Sequence, residues 1–463
     1  MRTSGDILLI SCYELGHQPF HLASLTAILQ PAGYQPLLVD TAIEPVTDDA
    51  IRKAQFIAIA VPMHTALRMG EQLARRIRSV NPEAYICLYG LYAHLNAEHL
   101  LRETIDAAIG GEYELPLLQL VQSLERKEKP EIAGVSTRTH SSNPWIARTP
   151  FLQPVRQQLP ALERYARLAW GDEERIVGYT EATRGCKHTC LHCPVTPVYQ
   201  GRFFAVPISL VLADIRAQVA HGAQHITFGD PDFWNGPTHA LRIARALHQE
   251  FPEVTFDATV KIEHILKHRY LLPEMRDLGC LFLVSAVESL NDIVLQQLDK
   301  GHTAEDVQEA FALTEQAGIN LRPSLLPFTP WETLESYNQL LDFFEDQHLI
   351  EQIDPVHLSI RLLIPPGSAL LNDPESLQWR DDLDAARYTY RWHHPDPRMD
   401  RLQQQIAQLV EQDDTCQTDK IETFFRIKAL AKTAQSQFFS ADLARKNYGQ
   451  SKVLPHLTES WFC

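Results

Sequence analysis

The sequence predicts an α/β protein in three parts: an N-terminal doubly wound parallel sheet, a partial (β/α)6 barrel, and a mainly helical C-terminal region. Three observations predict it. Short apolar runs alternate with helix-like stretches through residues 1–125, the alternation resumes after a polar linker, and beyond residue 370 it gives way to amphipathic helical patterns. The expected boundaries are 1–125 for the first domain, 126–170 for the linker, 171–370 for the barrel and 371–463 for the C-terminal extension.

In the first domain, an apolar run at 7–10 precedes a helical stretch at 19–30, and the run at 35–40 closes a second strand on Asp40. Strand-like runs follow at 56–61, 84–89 and 107–109, with helical stretches at 66–79 and 97–103 between them. This is the pattern of an open parallel sheet with helices on both faces, whose ligands bind at the carboxyl ends of the strands.

Residues 127–130 and 135–144 are polar, turn-rich and aperiodic, as a connection between domains should be. Ile176-Val-Gly-Tyr-Thr180 then begins the barrel. Five more strand runs, at 225–228, 254–258, 280–285, 320–326 and 357–363, alternate with helical stretches at 209–221, 238–250, 272–278, 304–317 and 334–344. Six such units suit a partial barrel, open enough to admit substrate, with its chemistry at the carboxyl ends of the strands. Past the barrel, 402–411 and 420–433 read as amphipathic helices covering its open side.

Composition narrows the function classes. With 463 residues, 45% of them hydrophobic, the chain can build more than one core. No run approaches the ~18 to 20 apolar residues of a membrane span, so a soluble protein with no membrane partner is expected. The net charge of -16 disfavours a nucleic-acid backbone as partner and leaves a small-molecule substrate the better fit. Eight cysteines, most of them scattered singly, and the absence of a signal-peptide pattern after Met1 fit a reducing cytoplasm.

Three cysteines are not scattered. Cys186, Cys190 and Cys193 lie in Thr183-Arg-Gly-Cys-Lys-His-Thr-Cys-Leu-His-Cys-Pro194. Closed zinc sites and electron-transfer iron-sulfur clusters take four protein ligands, so three would leave one iron of a cluster open. A zinc site would need His188 or His192 as its fourth ligand, both crowded into the same turn. The CxxxCxxC spacing resembles the radical S-adenosylmethionine (SAM) enzymes, where the open iron is chelated by the amine and carboxylate of SAM. The resemblance implies a 4Fe-4S cluster and SAM as cofactors, reductive cleavage of SAM, radical chemistry on a small molecule, and a reductant such as flavodoxin or ferredoxin.

The first domain resembles the cobalamin-binding domain ahead of many radical SAM enzymes, with Gly16-His17-Gln18-Pro19 and Gly111-Glu112-Tyr113-Glu114 at its loop positions. The Asp-x-His-x-x-Gly signature of that family is absent: His17 lacks the aspartate two residues before it and the glycine three residues after it. Either the domain holds cobalamin without a protein histidine, or it keeps the fold and has lost the cofactor; the second is the expectation, so cobalamin is disfavoured.

Other candidates sit at strand ends. The resemblance implies that the turn Gly229-Asp230-Pro-Asp232 engages the SAM ammonium through Asp230 and Asp232, although Gly-Asp-Pro is also an ordinary turn. It likewise implies that Glu288 and Ser289 face the ribose and amino-acid parts of SAM; Glu288 follows an apolar strand directly, an expensive place for an unpartnered charge. The turn 365–368 would meet the adenine. Lys261, Glu263, His264 and Arg322 could approach cofactor or substrate, but a strand-end salt bridge explains each as well. Cys280 reads as packing, and His393-His394 as a solvated turn. The terminal Trp461-Phe-Cys463 resembles the start of the Cys-Sec-Ala-Glu-Pro or Cys-Cys-Ala-Glu-Pro tail of a radical SAM subgroup. That would make Cys463, with Glu288, a catalytic candidate, and would place a selenocysteine codon, read as a stop, just beyond it.

The function expected is a radical SAM enzyme acting on a small molecule. The alternatives are a cobalamin-dependent radical SAM methyltransferase, transfer of the 3-amino-3-carboxypropyl group, and a non-catalytic iron-sulfur protein.

Overall fold

The computed structural model describes residues 1–449 and 453–459. Strands β1 (Ile7–Ser11), β2 (Leu37–Asp40), β3 (Phe56–Ala60), β4 (Tyr85–Tyr89), β5 (Ala107–Ile109) and β6 (Val135–Thr137) form one sheet in the order β2-β1-β3-β4-β5-β6. The first five are parallel and β6 runs antiparallel to β5. Strands β1 and β3 are buried along their whole length because helices cover both faces, which is why they read as unbroken apolar runs. One face packs on the helix His64–Val80, the other on the helices Phe20–Leu29 and Glu114–Glu125. The strand order reverses beside β1, so the loop after β1 lies at the crevice where such sheets bind ligands.

The second sheet contains β7 (Arg167–Trp170), β8 (Glu173–Thr180), β11 (His225–Phe228), β12 (Thr255–Thr259), β13 (Cys280–Glu288), β14 (Asn320–Leu325) and β17 (His456–Leu457), in the order β14-β13-β12-β11-β8-β7-β17. Strands β8, β11, β12, β13 and β14 are parallel, while β7 pairs antiparallel with β8, and β17 with β7. Between β8 and β11, the antiparallel pair β9 (Thr183–Gly185) and β10 (Phe203–Ala205) brackets the cysteine loop. A further antiparallel pair, β15 (Arg380–Asp384) with β16 (Thr389–Trp392), precedes the helices Pro397–Thr415 and Lys420–Ala434, which pack on the barrel as expected.

Two elements depart from expectation. The sixth barrel strand, placed at 357–363, is reduced to one parallel bridge between Phe328 and Arg361. Pro355 starts a 3-10 turn, Pro355–Leu358, where the strand would begin. The stretch 126–170 is also more than a connection. It contributes β6 and β7, and the Glu112 N–H donates to the Trp145 carbonyl at 2.7 Å, so this stretch is pinned to the first sheet.

Candidate active site

Strand β8 ends beneath the cysteine loop, and Gly185 makes the entry. Its φ is +74°, and a Cβ there would lie 2.5 Å from the Arg202 carbonyl oxygen, so only glycine fits. Asn235 clamps the loop from the end of β11: its Oδ1 accepts the Lys187 N–H at 3.2 Å, and its Nδ2 donates to the Gly185 carbonyl at 3.3 Å. The Leu191 N–H donates to the Leu298 carbonyl at 3.0 Å, and the Thr196 hydroxyl to the Cys190 carbonyl at 2.9 Å. The backbone that carries the three thiols is thus fixed from three directions.

Cys186, Cys190 and Cys193 are free thiols. Burial pushes the Cys186 thiol up to about 12 and the Cys193 thiol up to about 11. Among the described residues, His188, Asp232 and His264 form a group close enough to hold one ion. A loop with three thiols on a rigid frame suits a cluster with one open iron better than a closed four-ligand zinc site.

Around this loop the candidates fall in different places. Glu288 ends β13 at a register shift, with a φ of +66°. It accepts a hydrogen bond from Lys300 Nζ at 2.9 Å and lies 3.1 Å from His192 Nε2 in the cysteine loop. Burial would raise the Glu288 carboxyl, but Lys300 and His192 outweigh it and hold the group well below the usual carboxylate range. The strained backbone therefore delivers a carboxylate to the loop. Ser289 turns away and donates to Glu332 at 2.7 Å.

Asp230 accepts the Ala182 N–H at 2.9 Å and the Thr183 hydroxyl at 2.6 Å, so both of its oxygens hold β9. Gly229 leaves room for Tyr179, since a Cβ there would sit 1.8 Å from the phenol oxygen. Asp232 Oδ1 accepts the Trp234 N–H at 3.0 Å, while Oδ2 faces two imidazoles, His264 Nδ1 at 2.7 Å and His188 Nε2 at 3.4 Å. Lys261 Nζ lies 3.3 Å from His188 Nδ1. Ser368, in the turn at 365–368, donates to the Leu191 carbonyl at 3.4 Å and so reaches the same loop.

The remaining candidates lie elsewhere. Arg322 pairs with Asp354 at 2.6 Å inside the barrel, the salt-bridge reading. Cys280 is fully buried packing. His394 is buried with Nε2 2.7 Å from the Glu332 carbonyl, whereas His393 is exposed beside Asp381, so the two do not act as a pair. Cys463 lies outside the described residues.

Sequence reasoning missed Arg184, Asn235 and Lys300. Arg184 is buried between the two sheets, donating to Glu112 at 3.3 Å, to Glu181 at 2.9 Å and to Glu114. Tyr199 donates to Glu112 at 2.8 Å. Burial pushes the Glu112 carboxyl up, and Arg184 only partly offsets it. The signal was available in the two acids of Gly111-Glu-Tyr-Glu114 and a lone arginine before the first cysteine. Nearby, the His17 and Tyr179 rings pack at a tilt with centroids 4.8 Å apart, and burial lowers His17 to about 4.

Residues 180–344 match the Radical SAM superfamily. Among curated relatives, an uncharacterized methyltransferase of Pyrococcus horikoshii is 21% identical over 276 residues, covering 58% of this chain and 60% of that protein. The chain spans less than two thirds of the length of the curated relatives it matches. Of solved structures, the cobalamin-dependent radical SAM enzyme OxsB, bound to aqua-cobalamin and SAM, aligns over 96% of this chain and 71% of that one, with a TM-score of 0.71 and 15% identity. The radical SAM methyltransferase TsrM from Kitasatospora setae, with cobalamin and a 4Fe-4S cluster, aligns over 74% and 70%, with a TM-score of 0.58 and 17% identity. At these identities the likeness is one of fold. The chain carries a radical SAM domain, an enzyme domain whose family implies a 4Fe-4S cluster and SAM.

Proposed function

We propose that the chain cleaves SAM reductively at a cluster held by Cys186, Cys190 and Cys193, and uses the radical to modify a small-molecule or protein substrate. The observation that carries this reading is the rigid loop of three thiols at the carboxyl end of β8, inside the matched domain. When bound, the cluster supplies one electron to the sulfonium of SAM. The chain's own residues do the positioning. Glu288, held ionised by Lys300, presents its carboxylate beside the cysteine loop, where it would meet the amino or ribose end of SAM, while Ser289 is engaged by Glu332. Asp230 and Asn235 hold β9 and the loop in register. The helices Pro397–Thr415 and Lys420–Ala434 pack their apolar faces on the barrel core. A flavodoxin- or ferredoxin-like reductant is part of this proposal.

The test is product analysis. After cluster reconstitution and reduction with SAM present, 5'-deoxyadenosine is expected; intact SAM would leave only a metal-binding role. Methylthioadenosine would point instead to transfer of the 3-amino-3-carboxypropyl group.

A second reading is cobalamin-dependent methyl transfer. The expectation that cobalamin is disfavoured needs correction, because the fold shared over 96% of the chain belongs to an enzyme that binds it. The missing histidine signature alone does not set the cofactor aside. Near the loop after β1, His17 packs against Tyr179 with ring centroids 4.8 Å apart, and Tyr89 and Tyr113 are buried. Cobalt content and S-adenosylhomocysteine among the products decide between the readings.

A further inference from the structure

We propose that His188, Asp232 and His264 bind a divalent first-row metal ion of the zinc or iron(II) class, a site separate from the cluster. One ligand atom from each lies within 4.8 Å of the other two. Asp232 and His264 are fully buried, and the His188 side chain is 12% exposed. They come from three segments: the cysteine loop, the end of β11, and the helix Ile262–Lys267 after β12.

The alternative is a hydrogen-bonded His-Asp-His network, and the geometry disfavours it. His264 Nδ1 is only 2.7 Å from Asp232 Oδ2, yet the two are not aligned as donor and acceptor. Asp232 Oδ2, His188 Nε2 and both ring nitrogens of His264 are buried without a hydrogen-bond partner. Four such atoms in one place are costly unless something else satisfies them, since each carries a desolvation penalty of about 1–3 kcal/mol. Lone pairs that converge without aligned hydrogens are what a cation requires. Two imidazoles and one carboxylate suit zinc or iron(II), and three protein ligands leave a position for water or a substrate oxygen. On the outer side of the His188 ring, Nδ1 lies 3.3 Å from Lys261 Nζ and 3.6 Å from Glu263 Oε2, which pair with each other at 3.7 Å, so a carboxylate and its ammonium partner back the histidine. The site would take the free oxygen of Asp232 out of reach of the SAM ammonium and put a Lewis acid at the barrel mouth.

Two measurements test it independently of the cluster. In the full chain with Cys186, Cys190 and Cys193 all changed to alanine, stripped with chelator and titrated with Zn²⁺, one equivalent should bind. Asp232→Asn and His264→Gln in that background should weaken binding at least tenfold, with far-ultraviolet circular dichroism confirming the fold. In the cluster-loaded chain carrying Zn²⁺ and no substitution, X-ray absorption at the zinc edge should show two imidazoles and no sulfur. Zinc that is lost with the cysteines, or a zinc edge that shows sulfur ligands, overturns the proposal. Failure of the cluster to assemble would sink the proposed function and leave the first measurement intact.

Discussion

Arg184, two residues before Cys186, donates to Glu112 and Glu114, which follow the last parallel strand of the first sheet, so the cysteine loop is anchored by acids 70 and 72 residues earlier in the chain. Removing the guanidinium would leave buried carboxylates unpaired. Arg184→Met is expected to cost about 3–5 kcal/mol and to lower the iron retained after reconstitution. Urea unfolding and iron analysis on the same preparation check both effects.

Cys193→Ser should abolish cluster binding and SAM cleavage together, whereas Cys280→Ala, in packing under β13, should keep the full iron complement. Iron and sulfide per chain are the readout. Equal losses from both variants would remove the special status of the three loop cysteines.

Gly229→Ala places a methyl group 1.8 Å from the Tyr179 phenol oxygen. Overpacking of this kind costs about 1–3 kcal/mol, and Tyr179→Ala in the same chain should recover part of it. A stable Gly229→Ala single variant would show that the β11 end can move aside.

The Glu288–Lys300 pair is buried on both sides. Glu288→Gln and Lys300→Met should each destabilise by about 3–5 kcal/mol, while the double variant should cost clearly less than their sum, because no charge is then left alone. A double-mutant cycle by thermal melting measures the coupling; strict additivity would contradict it.

Asp40, at the end of β2, is raised to about 6, by burial first, with the Tyr165 hydroxyl and the Ala42 N–H opposing. A carboxyl raised on folding binds its proton more tightly in the folded state. Its favourable contribution is therefore full below about pH 4 and lost as the pH rises through 6. Asp40→Asn keeps the bond from Tyr165 and should flatten this fall, a gain of about 2 kcal/mol over wild type at pH 7. Melting curves from pH 4 to 7 should diverge toward neutral pH; parallel curves would exclude Asp40 as the source.

The alternation of strands and the cysteine spacing were legible because both are local: a period of two or a run of ten residues contains the whole signal. The sixth strand was misread because residues 357–363 are apolar enough for a strand, and only Pro355 announced a 3-10 turn instead. The role of 126–170 stayed hidden since its order comes from pairing with β5 and β8 rather than from its own periodicity. Arg184 with its acids and the His188–Asp232–His264 cluster join segments far apart in the chain, which no window along the sequence brings together. The residues of the second were visible singly; what could not be seen was that they share one point in space.

The Arg184 contact also sets an order of biogenesis. Glu112 and Glu114 leave the ribosome before Arg184 does, so the acids can already sit on a folded first sheet when the arginine emerges. The guanidinium can settle only against a docked neighbour, and the turn two residues later inherits its position from that event. Iron delivery should therefore come after docking, and a barrel made without the first sheet would be a poor recipient for it.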